Sequence, residues 1–282
     1  MRERFTPRER DETRESKEVK AEEIAETILR RIEEERLRED LERRTERVLS
    51  ALEKSELNES NELSKEVRSR VEIESNDESL GYLLGAMRDG SVFYDKASRN
   101  YFTMYYQKHS EWLEDSISPR MEKLFDKEGK IEEYTPGHYR LKVSSKELYE
   151  MWKQDYDFPP DGEGQGSWNV PEDIKSANTH VKASYIRGVF DTEGDVSPES
   201  SKSCYVGISQ KNETFIEEVR GLLEDLDIHA GKTHVIDEKS GTLRLAVSER
   251  KSLLRFITII DSEHPDKHEN LRRVRSLLDQ ET

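Results

Sequence analysis

Two acidic residues hold matching places in this chain: Asp89 and Glu193 each close an apolar run, and each is followed at once by a glycine, Gly90 or Gly194. Two carboxylates brought together repel one another unless a cation lies between them. Oxygen ligands of this kind favour Mg2+, whose octahedral shell is completed by waters and phosphate oxygens. A cation so held can stabilise the leaving oxygen in phosphodiester hydrolysis. All of this requires a fold that joins two residues far apart in sequence. The competing reading leaves both acids as turn formers at helix ends, with no shared chemistry.

The elements around the acids repeat. LGYLLGAMRDGS surrounds Asp89 and YIRGVFDTEGDV surrounds Glu193, and a strand ending in Gln-Lys follows each, NYFTMYYQK or CYVGISQK. An amphipathic helix comes next, with Trp112, Leu113, Ile117, Met121 and Leu124 on one face in the first copy. Phe215, Ile216, Val219, Leu222, Leu223 and Leu226 do the same in the second. A hairpin with a Pro-Gly or Ser-Gly turn follows, and a helix closes each unit, KELYEMW or KSLLRFITII. The matched order predicts an α+β protein made of two αββαββα units related by a pseudo-twofold axis. Gly85, Ala86 and Gly188 put small residues on the two motif helices, so the helices can approach closely and end at one place with Asp89 beside Glu193. One irregularity stands out: the interval from Gly85 to Asp89 is one residue shorter than that from Gly188 to Glu193. A tightened last turn would compensate, whereas a regular one would rotate Asp89 away.

At these residues the chain resembles the LAGLIDADG homing endonucleases in their single-chain, two-repeat, archaeal-like form. The resemblance runs from about Leu80 to Leu278 and leaves out the N-terminal arm. It implies a site-specific DNA endonuclease that makes metal-dependent double-strand breaks at a long target, using Mg2+ or, in its place, Mn2+. It implies Asp89 and Glu193 as the metal-binding catalytic acids, with Gln107, Lys108, Gln210 and Lys211 reaching toward the metal waters and the scissile phosphate. Lys142 matches an active-site lysine of the family, while the aligned residue of the second repeat is Ala246, so the two strands are expected to be cut unequally.

DNA would be read by the two antiparallel sheets, with alternate side chains facing the bases. In the second repeat Cys204, Val206 and Ile208 are expected to face the helices, leaving Ser203, Tyr205 and Ser209 toward DNA. The same parity turns Phe102, Met104 and Tyr106 outward in the first repeat, an apolar set for a groove reader. Either a bulge shifts that parity or the face meets thymine methyls. Lys96, Arg99, Arg140, Lys202, Lys239 and Arg244 are the candidates for phosphate or base contacts.

Composition bounds the rest. With 282 residues, a net charge of -16 and 38% charged residues, the chain supports modest domains with much solvated surface. The net acidity is a poor guide to DNA binding, which depends on the sign of one face. The single cysteine, Cys204, excludes an internal disulfide and a Cys-rich zinc cluster. No apolar run is long enough to span a bilayer, so a soluble, cytoplasmic, nucleoid-associated protein is expected, and the internal repeat leads us to expect a monomer. Residues 1–78 read as a charged helical arm, 79–154 as the first repeat, 155–180 as a Pro- and Gly-rich linker and 181–282 as the second repeat with a C-terminal helix. The arm offers a surface for a partner or for self-association. No nucleophile-led block precedes the first motif, which favours a free-standing or intron-encoded enzyme over an intein. Two rivals are a catalytically weakened DNA- or RNA-binding regulator or maturase on the same fold, and a scaffold assembled through the arm.

Overall fold

Two units separate along the chain, Met1–Ile73 and Glu74–Thr282. The computed structural model describes residues 75–280 apart from 162–164 and 201–202. The charged arm and Lys202 therefore lie outside the described residues, the arm except at its last few positions.

Helix α1 (Asn76–Ala86) starts at a reciprocal cap: Ser75 Oγ accepts from the Glu78 amide at 3.1 Å, and Glu78 Oε2 accepts from the Ser75 amide at 2.6 Å. A 3-10 turn (Met87–Asp89) leads into β1 (Gly90–Asp95) and β2 (Asn100–Gln107). Helix α2 covers residues 110–125 and passes through a π turn at Leu113–Ile117. That turn lies just before Pro119, which has no N–H to give to the preceding helical turn. Strands β3 (Lys130–Thr135) and β4 (His138–Ser144) are joined through Gly137 at φ +72°, and α3 (Lys146–Gln154) closes the unit. After a short α4 (Glu172–Ser176), the pattern returns as α5 (Thr179–Glu193), β5 (Gly194–Ser197), β6 (Tyr205–Gln210), α6 (Glu213–Asp225), β7 (His234–Asp237), β8 (Thr242–Val247) and α7 (Arg250–Ile259). A further helix, α8 (Pro265–Asp279), follows. The sheets are antiparallel and four-stranded, ordered β1-β2-β4-β3 and β5-β6-β8-β7, so the expected duplication holds strand for strand.

The core lies between the sheets and the helices. Val92, Tyr105, Leu141 and Val143 of one sheet and Val206, Ile208, Leu245 and Val247 of the other turn inward and are nearly solvent-free. The expected apolar faces of α2 and α6 are buried against them, with Leu124 only partly covered. The segment read as a linker is itself packed. Phe158, Trp168, Val170 and Ile174 are buried, Phe158 and Trp168 meet edge to face with centroids 4.9 Å apart, and Trp168 Nε1 donates to the Tyr156 carbonyl at 2.8 Å. Its apolar side chains make much of it a covered strap, not a loose tether.

The segment before α8 ties the two repeats. Arg120 of α2 grips Glu263 with both terminal nitrogens, at 2.8 and 2.6 Å, and lies over the Tyr82 ring at 4.0 Å. Among the described residues no helix is long and apolar enough to cross a membrane.

Candidate active site

The motif helices α1 and α5 meet backbone to backbone. A Cβ on Gly85 would collide with the Tyr185 carbonyl and the Val189 amide; one on Gly188 would collide with the Tyr82 carbonyl and the Ala86 amide. These contacts are the same in both directions, so Gly85 and Gly188 are equivalent across the pseudo-twofold axis. The strands supply a second equivalence, since Gly90 pairs with Tyr105 and Gly194 with Ile208, and those partners pair with Leu141 and Leu245. Asp89 and Glu193 therefore occupy matched places, each one residue before the first strand of its sheet. The shorter first interval is taken up by the 3-10 turn at Met87–Asp89. Such a turn rises about 2.0 Å per residue instead of about 1.5 Å, so fewer residues cover the same distance.

The two carboxyls feel each other. Burial and then the charge of Asp89 lift Glu193 from 4.5 to about 7, while crowding by the surrounding protein lifts Asp89, which still reaches solvent, from 3.8 to about 6. The donors are hard oxygens short of positive charge, which fits a divalent cation. Among the described residues no group of three or more His, Cys, Asp or Glu side chains forms a full cage. Two carboxylates with the remaining positions open to water and phosphate oxygens suit Mg2+.

A linked pH dependence follows. Both groups bind protons more tightly folded than unfolded, so the stability they contribute is fully present below about pH 4 and is lost as pH rises through about 6 for Asp89 and about 7 for Glu193. A divalent cation held between the two carboxylates would replace the lost protons. Adding Ca2+ is expected to raise the melting temperature at pH 8 and to raise it much less at pH 5.5, as read by scanning fluorimetry. An equal shift at both values would place the ion elsewhere.

Gln210 lies against Glu193: its Nε2 donates to Glu193 Oε1 at 2.9 Å and its Oε1 accepts from the Lys211 amide at 2.8 Å. Gln107 likewise accepts from the Lys108 amide at 2.7 Å. The Lys108 and Lys211 side chains are exposed at the strand ends. Lys142 is turned along the outer face of its sheet, with its ammonium 3.8 Å from the centre of the Phe102 ring. It is register-equivalent to Ala246, since Met104 pairs with Lys142 and Gly207 with Ala246.

Three charged residues that the sequence does not single out shape the site. Lys267 of α8 caps the end of α5, donating at 2.8 Å to the carbonyls of Phe190 and Asp191 and at 3.3 Å to that of Thr192. Burial pushes its ammonium down to about 8 although Asp191, Glu193, Asp195 and Asp89 all pull the other way, and its charge steadies both catalytic candidates. Asp191 is fully buried, bonded by the hydroxyls of Tyr82 and Ser262 and by the Glu263 amide, which removes it from the site. Arg88, at the equivalent position in the first repeat, is buried too; its guanidinium donates to the Trp168 carbonyl at 2.6 Å and lies 3.8 Å from the Phe215 ring centre. No signal in the sequence marks Lys267, because α8 has no counterpart in the first repeat.

The outer faces of the sheets carry the remaining candidates. Cys204, Val206 and Ile208 face the helices as expected, while Tyr205 and Ser209 turn out with Arg244, and Ser203 is exposed in the preceding turn. Lys96, Arg99 and Lys239 are exposed in hairpin turns, and Arg140 lies on the outer face of the first sheet. The β1–β2 register is unbroken, so no bulge shifts the parity, and Phe102, Met104 and Tyr106 do point outward. They are covered by one another and by neighbours. Phe93 stacks on Phe102 at 5.5 Å, Lys142 lies over the same ring, and the Tyr106 hydroxyl meets Ser91 Oγ at 2.9 Å and Met104 Sδ at 3.6 Å.

Comparison with known proteins agrees with this architecture. Residues 180–261 match the LAGLIDADG-like domain family. The homing endonuclease I-ApeI of Aeropyrum pernix is 29% identical over 197 residues, covering 70% of this chain and 86% of that protein. The second repeat is thus LAGLIDADG-like, and the duplicated unit as a whole resembles that family. A glutamine–fructose-6-phosphate aminotransferase of Methanocaldococcus jannaschii is 27% identical over 198 residues, but the match spans only 17% of that protein. Two solved structures share the LAGLIDADG fold. I-DmoI in complex with DNA and Mn has a TM-score of 0.52 at 24% identity, covering 66% of this chain and 97% of that one. I-DmoI in complex with DNA and Ca has a TM-score of 0.53 at 23% identity, covering 71% and 99%.

Proposed function

We propose that this LAGLIDADG-like protein is a site-specific DNA endonuclease that makes metal-dependent double-strand breaks at a long target. The observation that carries the reading is the delivery of Asp89 and Glu193, by helices in backbone contact, to matched positions at one end of their interface. The homing endonuclease I-ApeI and I-DmoI, solved with DNA and with Mn or Ca, support it by kinship.

Asp89 and Glu193 would hold the cation, Mg2+ in preference and Mn2+ as a substitute. When bound, it supplies Lewis-acid stabilisation of charge on the phosphate. Gln210 fixes the direction of the Glu193 carboxylate, and Gln107, at the matching end of β2, would serve Asp89 in the same way. Lys108 and Lys211, as exposed point charges beside the site, would hold backbone phosphates. Lys267 keeps α5 capped and lowers the cost of two acids side by side. Lys142 is the asymmetric element, with Ala246 opposite it in the duplication. A swing of its flexible stem off Phe102 would bring its ammonium toward one strand only.

Two measurements test this. The full chain incubated with a random duplex library in Mg2+ should yield discrete double-strand breaks at one recurring sequence. Binding that persists with no cutting in Mg2+ or Mn2+ would give the answer to the regulator. On the recovered target, single-turnover nicking is expected to run roughly 100-fold faster on one strand than on the other, the lower end of what a positioned general acid or base contributes. Lys142→Ala should narrow the gap, and equal rates in the native protein would remove Lys142 from the mechanism.

A further inference from the structure

Arg140 and Arg244 hold the same place in the two sheets. Tyr106 and Glu132 flank Arg140 on its neighbouring strands, as Ser209 and His234 flank Arg244. Both side chains lie on the outer face, and each is braced by a carboxylate. Arg140 gives its Nε at 2.9 Å and one Nη2 hydrogen at 2.6 Å to a single oxygen of Glu132, whose other oxygen meets Lys130 Nζ at 3.1 Å. Arg244 is held on three sides, with Nη2 3.2 Å from Asp195 Oδ1, Nη1 donating to the Tyr205 hydroxyl at 3.0 Å and Nε donating to Ser209 Oγ at 3.3 Å. Room for it comes from Gly207, where a Cβ would sit 3.3 Å from the Arg244 stem and 2.8 Å from Asp195. Met104 fills that place in the first sheet, and there the guanidinium turns to the edge strand instead.

Bracing by an acid is poor design for a phosphate contact. The carboxylate cancels the charge that draws a phosphate in, and it would repel the backbone it approached. It suits a base reader. A guanidinium has five N–H donors in a fixed plane, and these bonds take two of them in Arg140 and three in Arg244. Among the described residues, hydrogens on both terminal nitrogens of each stay available. That pair matches the O6 and N7 acceptors of guanine in the major groove. Side-chain freedom has already been given up in the free protein, so direction is set before DNA arrives.

Resting on the endonuclease reading, we propose that Arg140 and Arg244 are the paired guanine readers of this protein, one in each half of its target. Because the two guanidiniums are braced toward different strands of their sheets, each half is distinguished by its own contact.

The test is site selection from a random-sequence duplex pool with the full chain in Ca2+, repeated with Arg140→Ala, Arg244→Ala and the charge-keeping Arg140→Lys and Arg244→Lys. The native protein should enrich one required guanine in each half. Each alanine variant should lose the guanine preference in one half only, with roughly 10-fold to 100-fold weaker binding of the original target and the other half unchanged. The lysine variants, which keep the charge and lose the fork, should relax the same position while the salt dependence of binding stays as it was. Uniform weakening on every sequence with a salt slope lower by about one would make the arginines phosphate contacts and overturn the proposal. Unchanged selection would reduce them to ion pairs of the fold and overturn it too. If the native protein enriches no sequence, the endonuclease reading falls and takes the proposal with it.

Discussion

Glu193→Gln and Asp89→Asn are each expected to slow double-strand cleavage by roughly 1,000-fold, the scale of removing a preorganised electrostatic contact to a reacting group, while target binding is kept. Both substitutions preserve shape and hydrogen bonding. Gln210 can still meet a glutamine at position 193 through its amide, which need only turn over. On the proposed reading, what would disappear is one anionic oxygen donor to the cation, and with it the ordering of the ion between the two motif helices. The same change should stabilise the metal-free protein. Glu193 is held unprotonated above about pH 7 against burial and the charge of Asp89. A neutral amide removes that cost, on the order of 1–3 kcal/mol at pH 8 after allowing for partial solvent access. The paired readout discriminates. A loss of cleavage together with a lower melting temperature would mean that Glu193 serves the fold, and undiminished cleavage would remove it from the site. Single-turnover cleavage, gel-shift affinity in Ca2+ and scanning fluorimetry supply the three numbers.

Gly188→Val and Gly85→Val are expected to destabilise the protein by at least about 3 kcal/mol, a fall of roughly 6–12 °C in melting temperature, and to abolish cleavage even in the molecules that stay folded. The reason is what the added atoms would strike. At each site the collision is with the carbonyl and amide of the facing helix, not with a side chain that can rotate away. Relief requires α1 and α5 to move apart, and moving them apart separates Asp89 from Glu193. Gly221 gives the contrast. It lies on the exposed face of α6 with nothing near the position a Cβ would take, so Gly221→Ala should stabilise by about 0.5–1 kcal/mol through helix propensity. Equal behaviour of all three glycines would refute close helix contact as the basis of the site.

Particular residues show why some of this is legible in a sequence. The duplication can be read because each copy is built from local signals: the apolar spacing of α2 and α6, the Pro-Gly and Ser-Gly turns, and the Gln-Lys that ends β2 and β6. Gly85 and Gly188 are legible because only a missing side chain lets two backbones touch. Even the one-residue deficit before Asp89 carries its own remedy, since a tightened turn is the only local way to make up the length, and Met87–Asp89 takes that form.

Other features depend on residues that no local pattern connects. Asp191 and Glu193 are two positions apart in one motif, yet the first is buried under Tyr82 and Ser262 and the second faces the site, because the helix turns successive side chains to different neighbours. The segment at 155–180 has the composition of a linker, but Trp168 and Phe158 are buried in contact with each other, and no local pattern shows that cover. Lys142 has the right place in the sequence for an active-site lysine and lies over Phe102 in the structure. Lys267 comes from a helix outside the repeat and supplies the positive charge beside both acids.

By itself, then, the sequence determined the duplication, the strand and helix order, the two acids and the glycines that let them meet, because periodicity and missing side chains act over a few residues at a time. Only the tertiary structure decided which charges share the site, which acids are withdrawn from it and which arginines are braced on the outer sheets. Burial and Coulomb interactions act through space, and they join whatever the fold brings within a few ångströms, however far apart those residues lie along the chain.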